Sequence, residues 1–161
     1  MYINLGGDSE MLQKVKTMLK AQLYRKQELD FHIWVFSSVD NCNFNYNSKY
    51  LFFYVKENLP DIKAVFVIND KRKRQQLSEQ YGEEFFIDGL CSEGMKLILR
   101  AGVWFTSAGL PVYEWKGNPE RMVINLWHGI PLKKIVLMEE KQSFLRRFYF
   151  KNIFSCKYTY I

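Results

Sequence analysis

The architecture of this chain follows from Phe31-His32-Ile33-Trp34-Val35-Phe36-Ser37-Ser38, an aromatic and β-branched run that ends in two serines. This composition is typical of a strand that is buried on both faces. A helix is predicted over 49–58, with Asn47 and Ser48 as its caps, and a second apolar strand over 63–68. Because parallel strands need a crossover between them, this order of elements predicts one unit of a parallel sheet.

The same alternation of strands and helices continues to residue 126. Further helices are predicted over 71–81 and 92–100, and further strands over 84–87, 103–106 and 122–126. The pattern predicts an α/β fold, with a Rossmann-like parallel sheet and helices on both of its faces. Ligands of such sheets collect beyond the carboxyl ends of the strands, which here carry Ser37, Ser38, Asn69, Ser107 and His128. No GxGxxG motif follows the first strand and no P-loop motif occurs, so the common nucleotide sites are not supported.

Residues 1–30 are interpreted as an N-terminal region that precedes a Rossmann-like domain over 31–161. An amphipathic helix is predicted over 9–26, with methionines and leucines along one stripe and basic residues elsewhere. A basic amphipathic helix can lie on an anionic membrane surface, and it can equally pack against its own domain. The pattern leaves both alternatives open. No apolar run approaches the roughly 20 residues that a spanning helix needs.

Composition and charge limit the classes of partner. With 161 residues, 48% of them hydrophobic, the chain can bury one core but is short for two full domains. The net charge of +6 favours an anionic partner, either a phosphorylated substrate, a lipid headgroup or a nucleic acid. The densest basic run, 71–74, has no stacking aromatics close by, so we expect a solvated helix start and no nucleic-acid partner. Three cysteines without a CxxC pair predict neither a disulfide framework nor a zinc site, and no cofactor or metal is expected.

A second informative segment is Asn125-Leu126-Trp127-His128-Gly129-Ile130-Pro131-Leu132-Lys133-Lys134. The apolar strand delivers His128 to the edge of the sheet, and Gly129 lets a substrate approach the backbone. Lys133 and Lys134 follow a proline that can open a helix, so they lie near its positive end. One short segment thus combines a base with groups that bind anions. His32, inside the first apolar strand, is expected to be structural.

The run from Trp127 to Lys134 resembles the WHGxPLKK signature of the CDP-glycerol:poly(glycerophosphate) glycerophosphotransferases, the membrane-associated enzymes of teichoic acid synthesis. Two upstream segments, 47–55 and 63–66, are similar to that family in order and spacing. The resemblance covers roughly residues 34 to 135, which is about the size of one domain.

This resemblance implies the N-terminal, acceptor half of a GT-B fold, in which His128 is the catalytic base. A terminal glycerol hydroxyl would attack the glycerol-bearing phosphorus of CDP-glycerol, and CMP would leave. Gly129, Lys133, Lys134, Ser37 and Ser107 are the expected substrate- and phosphate-binding residues. The implied partners are CDP-glycerol, a lipid-linked polyol-phosphate acceptor and an anionic membrane surface, at the cytoplasmic face of the plasma membrane. An apolar face left without its partner half favours a homo-oligomer.

The chain also departs from the family pattern. It has no GxPRxD-like segment and no second catalytic histidine further on, and residues 158–161 look like the opening of another strand. We therefore expect an incomplete half that lacks the donor site, either a fragment, a truncated reading frame or a degenerate copy, and that is inactive alone. Two alternatives stay open, a non-catalytic domain that binds a membrane surface or polymer, and half of another GT-B glycosyltransferase.

Overall fold

The computed structural model describes residues 8–114, 117–127 and 159, and it describes side chains from residue 16 onwards. The helices are α1 (Asp8–Leu23), α2 (Tyr46–Asn58), α3 (Lys71–Tyr81) and α4 (Ser92–Arg100). The strands are β1 (Asp30–Ser37), β2 (Lys63–Val67), β3 (Phe86–Ile87), β4 (Ala101–Thr106) and β5 (Met122–Asn125). Single 3₁₀ turns lie at Val39–Asn41 and Glu83–Phe85. Within the described residues, the predicted order of strands and helices is confirmed.

The strands form one five-stranded sheet in the order β3-β2-β1-β4-β5, and every neighbouring pair is parallel. The predicted fold class, a Rossmann-like parallel sheet flanked by helices, is therefore confirmed. The chain runs outward from β1 to β2 and β3, and then returns to place β4 on the other side of β1. This reversal opens a crevice between the carboxyl ends of β1 and β4, which is where open parallel sheets bind ligands.

The sheet is buried on both faces, as the apolar runs predict. Val35, on one face, packs in a cluster with residues of α4 and with Ala21 of α1. Phe36, on the other face, stacks between Phe66 and Phe105, at centroid distances of 6.5 and 5.1 Å. Because consecutive strand residues point to opposite faces, one strand supplies both layers of the core.

The described part of α1 packs against the sheet domain. Ala21 is fully buried in its core, and the Lys20 ammonium donates a 2.6 Å hydrogen bond to the Leu90 carbonyl. Leu19 and Leu23 remain 64% and 78% exposed on the same helix. Within the part of the chain that the structure describes, no helix combines the length and apolarity that crossing a bilayer requires.

Helix α2 begins three residues earlier than predicted, and its predicted caps were wrong. Asn45 is the N-cap, while Asn47 and Ser48 lie inside the first turn. The backbone N–H of Ser48 is satisfied from outside the helix, because it donates a 2.9 Å hydrogen bond to the hydroxyl of Ser107. A hydrogen-bond partner supplied by the loop after β4, 59 residues away, leaves no local pattern in the sequence.

One strand is shorter than predicted, and one link between strands is irregular. β3 is only Phe86–Ile87, because Glu83–Phe85 form a 3₁₀ turn where the predicted strand begins. The link between β4 and β5 contains no helix in its described parts, 107–114 and 117–121. Because this link is irregular, it can line the crevice at the carboxyl edge of the sheet.

Candidate functional site

The loops at the carboxyl edge of the sheet enclose a cleft of about 540 Å³. It is lined by the segments that follow four of the strands, 38–42, 69–70, 89–90 and 108–113, together with Thr17 of α1. Small-molecule sites fall in the same range of volume. The cleft lies at the reversal point of the strand order, where the fold predicts a site.

Ser37 and Ser107 lie at this edge, as predicted, but their hydroxyls form internal hydrogen bonds. Ser37 Oγ donates to the carbonyl of Gly109 at 3.0 Å, and Ser107 Oγ accepts the Ser48 amide. Both side chains are buried. In this arrangement they fix the loops around the cleft, and their contact with a phosphate stays a prediction.

The loop after β1 has an unusual backbone. Asp40 and Asn41 both have a φ of 53°, in the left-handed region that Asp and Asn tolerate better than other side chains. Asn41 Nδ2 donates to the carbonyls of Leu110 and Pro111, each at 3.0 Å. The Asn69 N–H in turn donates to the Asn41 carbonyl at 2.6 Å. These bonds join the loops that follow β1, β2 and β4 around the cleft.

The charged side chains that line the described cleft are acidic. Asp40 and Asp70 are both exposed at its mouth. Burial raises the pKa of the Cys42 thiol above its usual value, and the negative charge of Asp40 raises it further. Among the described residues, no group of three or more His, Cys, Asp or Glu side chains could hold a metal ion.

A second feature of the edge is the exit of β5. The Asn125 side chain accepts the Trp127 N–H at 3.1 Å, and Trp127 adopts a left-handed φ of 55°. Asn47 Nδ2 donates to the carbonyls of Leu126 and Trp127, at 2.9 and 3.1 Å. The carbonyl of Trp127 belongs to the peptide unit that leads into His128, so these bonds fix the backbone immediately before that histidine.

His128, Gly129, Lys133 and Lys134 lie outside the described residues. Sequence reasoning noticed Asn47 only as a helix cap and assigned Asn41 no role. The asparagine-rich loop after β1 was the available signal for Asn41. No local sequence pattern indicates that the Asn47 side chain contacts residues about 80 positions further along the chain.

The outer edge of β5 is contacted by Thr159. Its N–H donates to the Val123 carbonyl at 2.7 Å, and its hydroxyl accepts the Val123 N–H at 3.0 Å. This contact falls within residues 158–161, where the sequence predicts the opening of a further strand, while the neighbours of Thr159 lie outside the described residues.

Comparison with known proteins identifies the family. The profile of the CDP-Glycerol:Poly(glycerophosphate) glycerophosphotransferases matches residues 18–159, most of the chain. The chain belongs to this family. The resemblance drawn from the segment 127–134 is confirmed, and the match extends well beyond that segment.

The chain is similar to the teichoic acid poly(glycerol phosphate) polymerase of Bacillus subtilis (strain 168). It is 27% identical over 110 residues, which are 66% of this chain and 14% of the polymerase. Among solved structures, a histidine-to-asparagine variant of the wall teichoic acid polymerase TagF, soaked with CDPG, superposes with a TM-score of 0.65 at 16% identity. TagF without a stated substitution gives 0.56 at 17%.

The chain spans only part of these proteins. The two superpositions cover 89% and 84% of this chain, but only 38% and 34% of the TagF chains. At 16% and 17% sequence identity, this structural similarity establishes the fold alone. The chain has the fold of one part of TagF.

Proposed function

We propose that this chain supplies the acceptor-side half of a glycerophosphotransferase, which transfers glycerol phosphate from CDP-glycerol to a teichoic-acid or capsular polymer acceptor and releases CMP. The observation that carries the proposal is the anchored exit of β5. Asn47 and Asn125 fix the backbone through Trp127, and the next residue is the histidine of the family signature. Family membership supports the transfer reaction, and the superposition on 38% of a TagF chain supports the assignment of these residues to one part of such an enzyme.

In the proposed reaction, His128 accepts the proton of the acceptor hydroxyl as its oxygen attacks phosphorus. A neutral imidazole suits this role because its ordinary pKa is about 6.5, close to neutral pH. Charge on the phosphoryl oxygens needs fixed positive groups, which Lys133 and Lys134 would supply, with Gly129 allowing close approach to the backbone. The donor nucleotide would be held mainly by the other half of the enzyme.

The test measures transfer of labelled glycerol phosphate from CDP-glycerol to a lipid-linked glycerophosphate acceptor. The chain is assayed alone and with a C-terminal half from a family member. We expect transfer only with the supplement, and its loss in His128→Ala. His32→Ala is the matched control, because His32 is the other histidine of the chain and its side chain is 76% exposed at the far end of β1.

Asn47 provides a finer test of the same site. Its removal breaks two hydrogen bonds that fix the backbone before His128, and small misplacements of a catalytic group can cost about a hundredfold in rate. We expect Asn47→Ala to lower kcat by about tenfold to a hundredfold with little change in KM. Asn58→Ala is the control, because Asn58 is exposed on the same helix and its side chain donates to the Tyr54 carbonyl of that helix, at 2.8 Å.

Each outcome of the transfer assay discriminates between functions. Transfer that survives in His128→Ala contradicts the proposed base. No transfer in any combination favours the non-catalytic domain that binds a membrane surface or polymer. Competition by sugar nucleotides stronger than that by CDP-glycerol favours a glycosyltransferase of similar fold.

We also propose a peripheral position at the cytoplasmic face of the plasma membrane, where a lipid-linked acceptor is reached. The exposed Leu19 and Leu23 on α1 support it, together with the net positive charge. Leu19→Gln with Leu23→Gln should weaken sedimentation with phosphatidylglycerol vesicles by about tenfold or more, since each leucine contributes about 1.5 kcal/mol when buried. Tyr50→Gln with Tyr54→Gln, on the exposed face of α2, is the matched control; an equal effect of both pairs contradicts the proposal.

A further inference from the structure

Helix α3 begins with a run of four cations, Lys71-Arg72-Lys73-Arg74. This placement is unfavourable for the helix, because its first turn is the positive end of the helix dipole and favours acidic side chains. The first turn of α3 contains no acidic residue, and none of the side chains of α3 is fully buried. Neither helix stability nor core packing accounts for the run. Sequences depart from such local rules chiefly at functional sites.

Two carboxylates near the run leave most of its charge in place. Asp88 pairs with Arg74, at 3.2 Å between the charged groups. Asp70 caps the helix, and its side chain accepts the backbone N–H of Lys73 at 2.9 Å. The end of the helix is therefore already satisfied, and what remains is a group of side-chain charges. The three exposed cations of the run define the basic patch: Lys71, Arg72 and Lys73.

The basic patch lies at the same edge of the sheet as the exit of β5. Helix α3 follows the carboxyl end of β2, and β1 and β4 separate β2 from β5. Because neighbouring strands are about 4.8 Å apart, the two points lie about 14 Å apart across this edge. The segment after β1 connects them, since Asn43 accepts the Lys73 ammonium at 2.7 Å and Asn47 donates to the Trp127 carbonyl at 3.1 Å. A chain molecule at the exit of β5 can follow this edge to the basic patch.

The surroundings and the distance select the kind of ligand. Binding to a lipid surface needs apolar side chains beside the cations, and the patch is followed by two exposed glutamines, Gln75 and Gln76. A glycerol phosphate polymer needs only the charges. Each of its repeats has six backbone bonds, twice the number in an amino-acid residue, and so spans about 7 Å when extended. The distance between the exit of β5 and the patch corresponds to about two such repeats.

We propose that the basic patch binds a phosphodiester of the acceptor polymer, about two repeats behind its reacting end. The inference rests on the proposed function, because it places the reacting hydroxyl at the exit of β5. Ammonium and guanidinium groups bind phosphate through charge-assisted hydrogen bonds, and counterions released from the polymer add to the affinity. The patch holds the growing chain and takes no part in the chemical step.

The test measures binding of fluorescently labelled poly(glycerol phosphate), without lipid, to the full chain by fluorescence anisotropy over a range of salt concentrations. Lys71→Gln with Arg72→Gln should weaken binding about tenfold at about 0.1 M salt. It should also lower the slope of log affinity against log salt by about 1–2, for two lost phosphate contacts. Lys26→Gln with Lys63→Gln is the matched control, because it removes the same charge from exposed residues that precede β1 and begin β2, near the opposite edge. The control should change the affinity by less than about twofold.

The same patch variant distinguishes a binding role from a structural one. Cations are unfavourable in a first helical turn, so Lys71→Gln with Arg72→Gln should leave the melting temperature unchanged or raise it. In the transfer assay with a C-terminal half, this variant should raise KM for a long acceptor. It should leave kcat, and KM for an acceptor of a single repeat, unchanged, because a single repeat does not reach the patch.

Three results would overturn the inference. Equal weakening in the patch variant and the control would mean that net charge alone binds the polymer. A lower melting temperature in the patch variant would make the cations structural. Loss of binding to phosphatidylglycerol vesicles without loss of polymer binding would assign the patch to a membrane surface. The outcome is separable from that of the proposed function, since polymer binding at the patch without transfer contradicts only the half-enzyme, whereas transfer with polymer binding unchanged in the patch variant contradicts only the patch.

Discussion

Replacing Glu114 with alanine should cost about 3–5 kcal/mol of unfolding free energy, because it leaves a buried arginine without its counter-ion. The Arg121 and Glu114 side chains are 3% and 5% exposed, and Nη1 donates to Glu114 Oε2 at 2.6 Å. The guanidinium also donates to the carbonyls of Ala101 and Leu99, at 3.0 and 2.5 Å, and lies 4.0 Å from the centroid of the Trp104 ring. Burial lowers the pKa of Arg121, and Glu114 opposes that shift.

The assay is urea unfolding at pH 7, followed by circular dichroism. For a chain of this size, about 3–5 kcal/mol corresponds to a fall in melting temperature of about 6–20 °C. Glu114→Gln removes the charge but keeps an oxygen acceptor, so its loss should be smaller than that of Glu114→Ala. Glu120→Ala is the matched control, because Glu120 is an exposed carboxylate beside Arg121 in the sequence. A loss below about 1 kcal/mol in Glu114→Ala would refute the reasoning.

Three further predictions concern other parts of the domain. Gly94→Ala should destabilise the chain by about 1–3 kcal/mol or more in urea unfolding, because its Cβ would lie 1.9 Å from the Asp88 carbonyl oxygen. Alkylation of Cys42 by iodoacetamide at pH 8 should accelerate in Asp40→Asn, since removing that negative charge lowers the raised thiol pKa and increases the thiolate fraction; mass spectrometry measures the rate. The pKa of Asp30 is lowered in the folded chain, chiefly because its carboxylate accepts a hydrogen bond from the backbone N–H of His32. Asp30 therefore stabilises the fold at pH values above its unfolded pKa, and this contribution is lost as the pH falls through the lower folded pKa. Between pH 5 and pH 2, the free energy of unfolding should therefore fall less steeply in Asp30→Asn than in the original chain.

Local pattern was sufficient to predict most of this fold. Helices α3 and α4 begin and end where the sequence predicts, at Lys71–Tyr81 and Ser92–Arg100. Their limits are marked by neighbouring residues, because Asp70 caps α3 through the N–H three residues on and a glycine follows its end. The strands were predictable because a sheet buried on both faces requires near-continuous apolar runs.

The parts that escaped prediction depend on contacts between distant residues. The start of α2 was placed too late because the amide of Ser48 is satisfied by Ser107, 59 residues away. The burial of the Arg121–Glu114 pair likewise could not be predicted from the sequence, because arginine and glutamate usually lie on the surface. The same holds for the candidate site: the family signature predicts His128 as the base, but it gives no indication that Asn47 fixes the backbone before that residue.

The two features of the carboxyl edge are joined through one residue of β4. The Thr106 carbonyl accepts the N–H of Leu126 at 2.8 Å, on the path to His128, while its hydroxyl donates to the carbonyl of Gly109 in the loop that lines the cleft. Gly109 can accept this bond where it lies because its φ of 99° is open to glycine. The cleft and the exit of β5 are therefore fixed relative to one another through the carbonyl and the hydroxyl of Thr106.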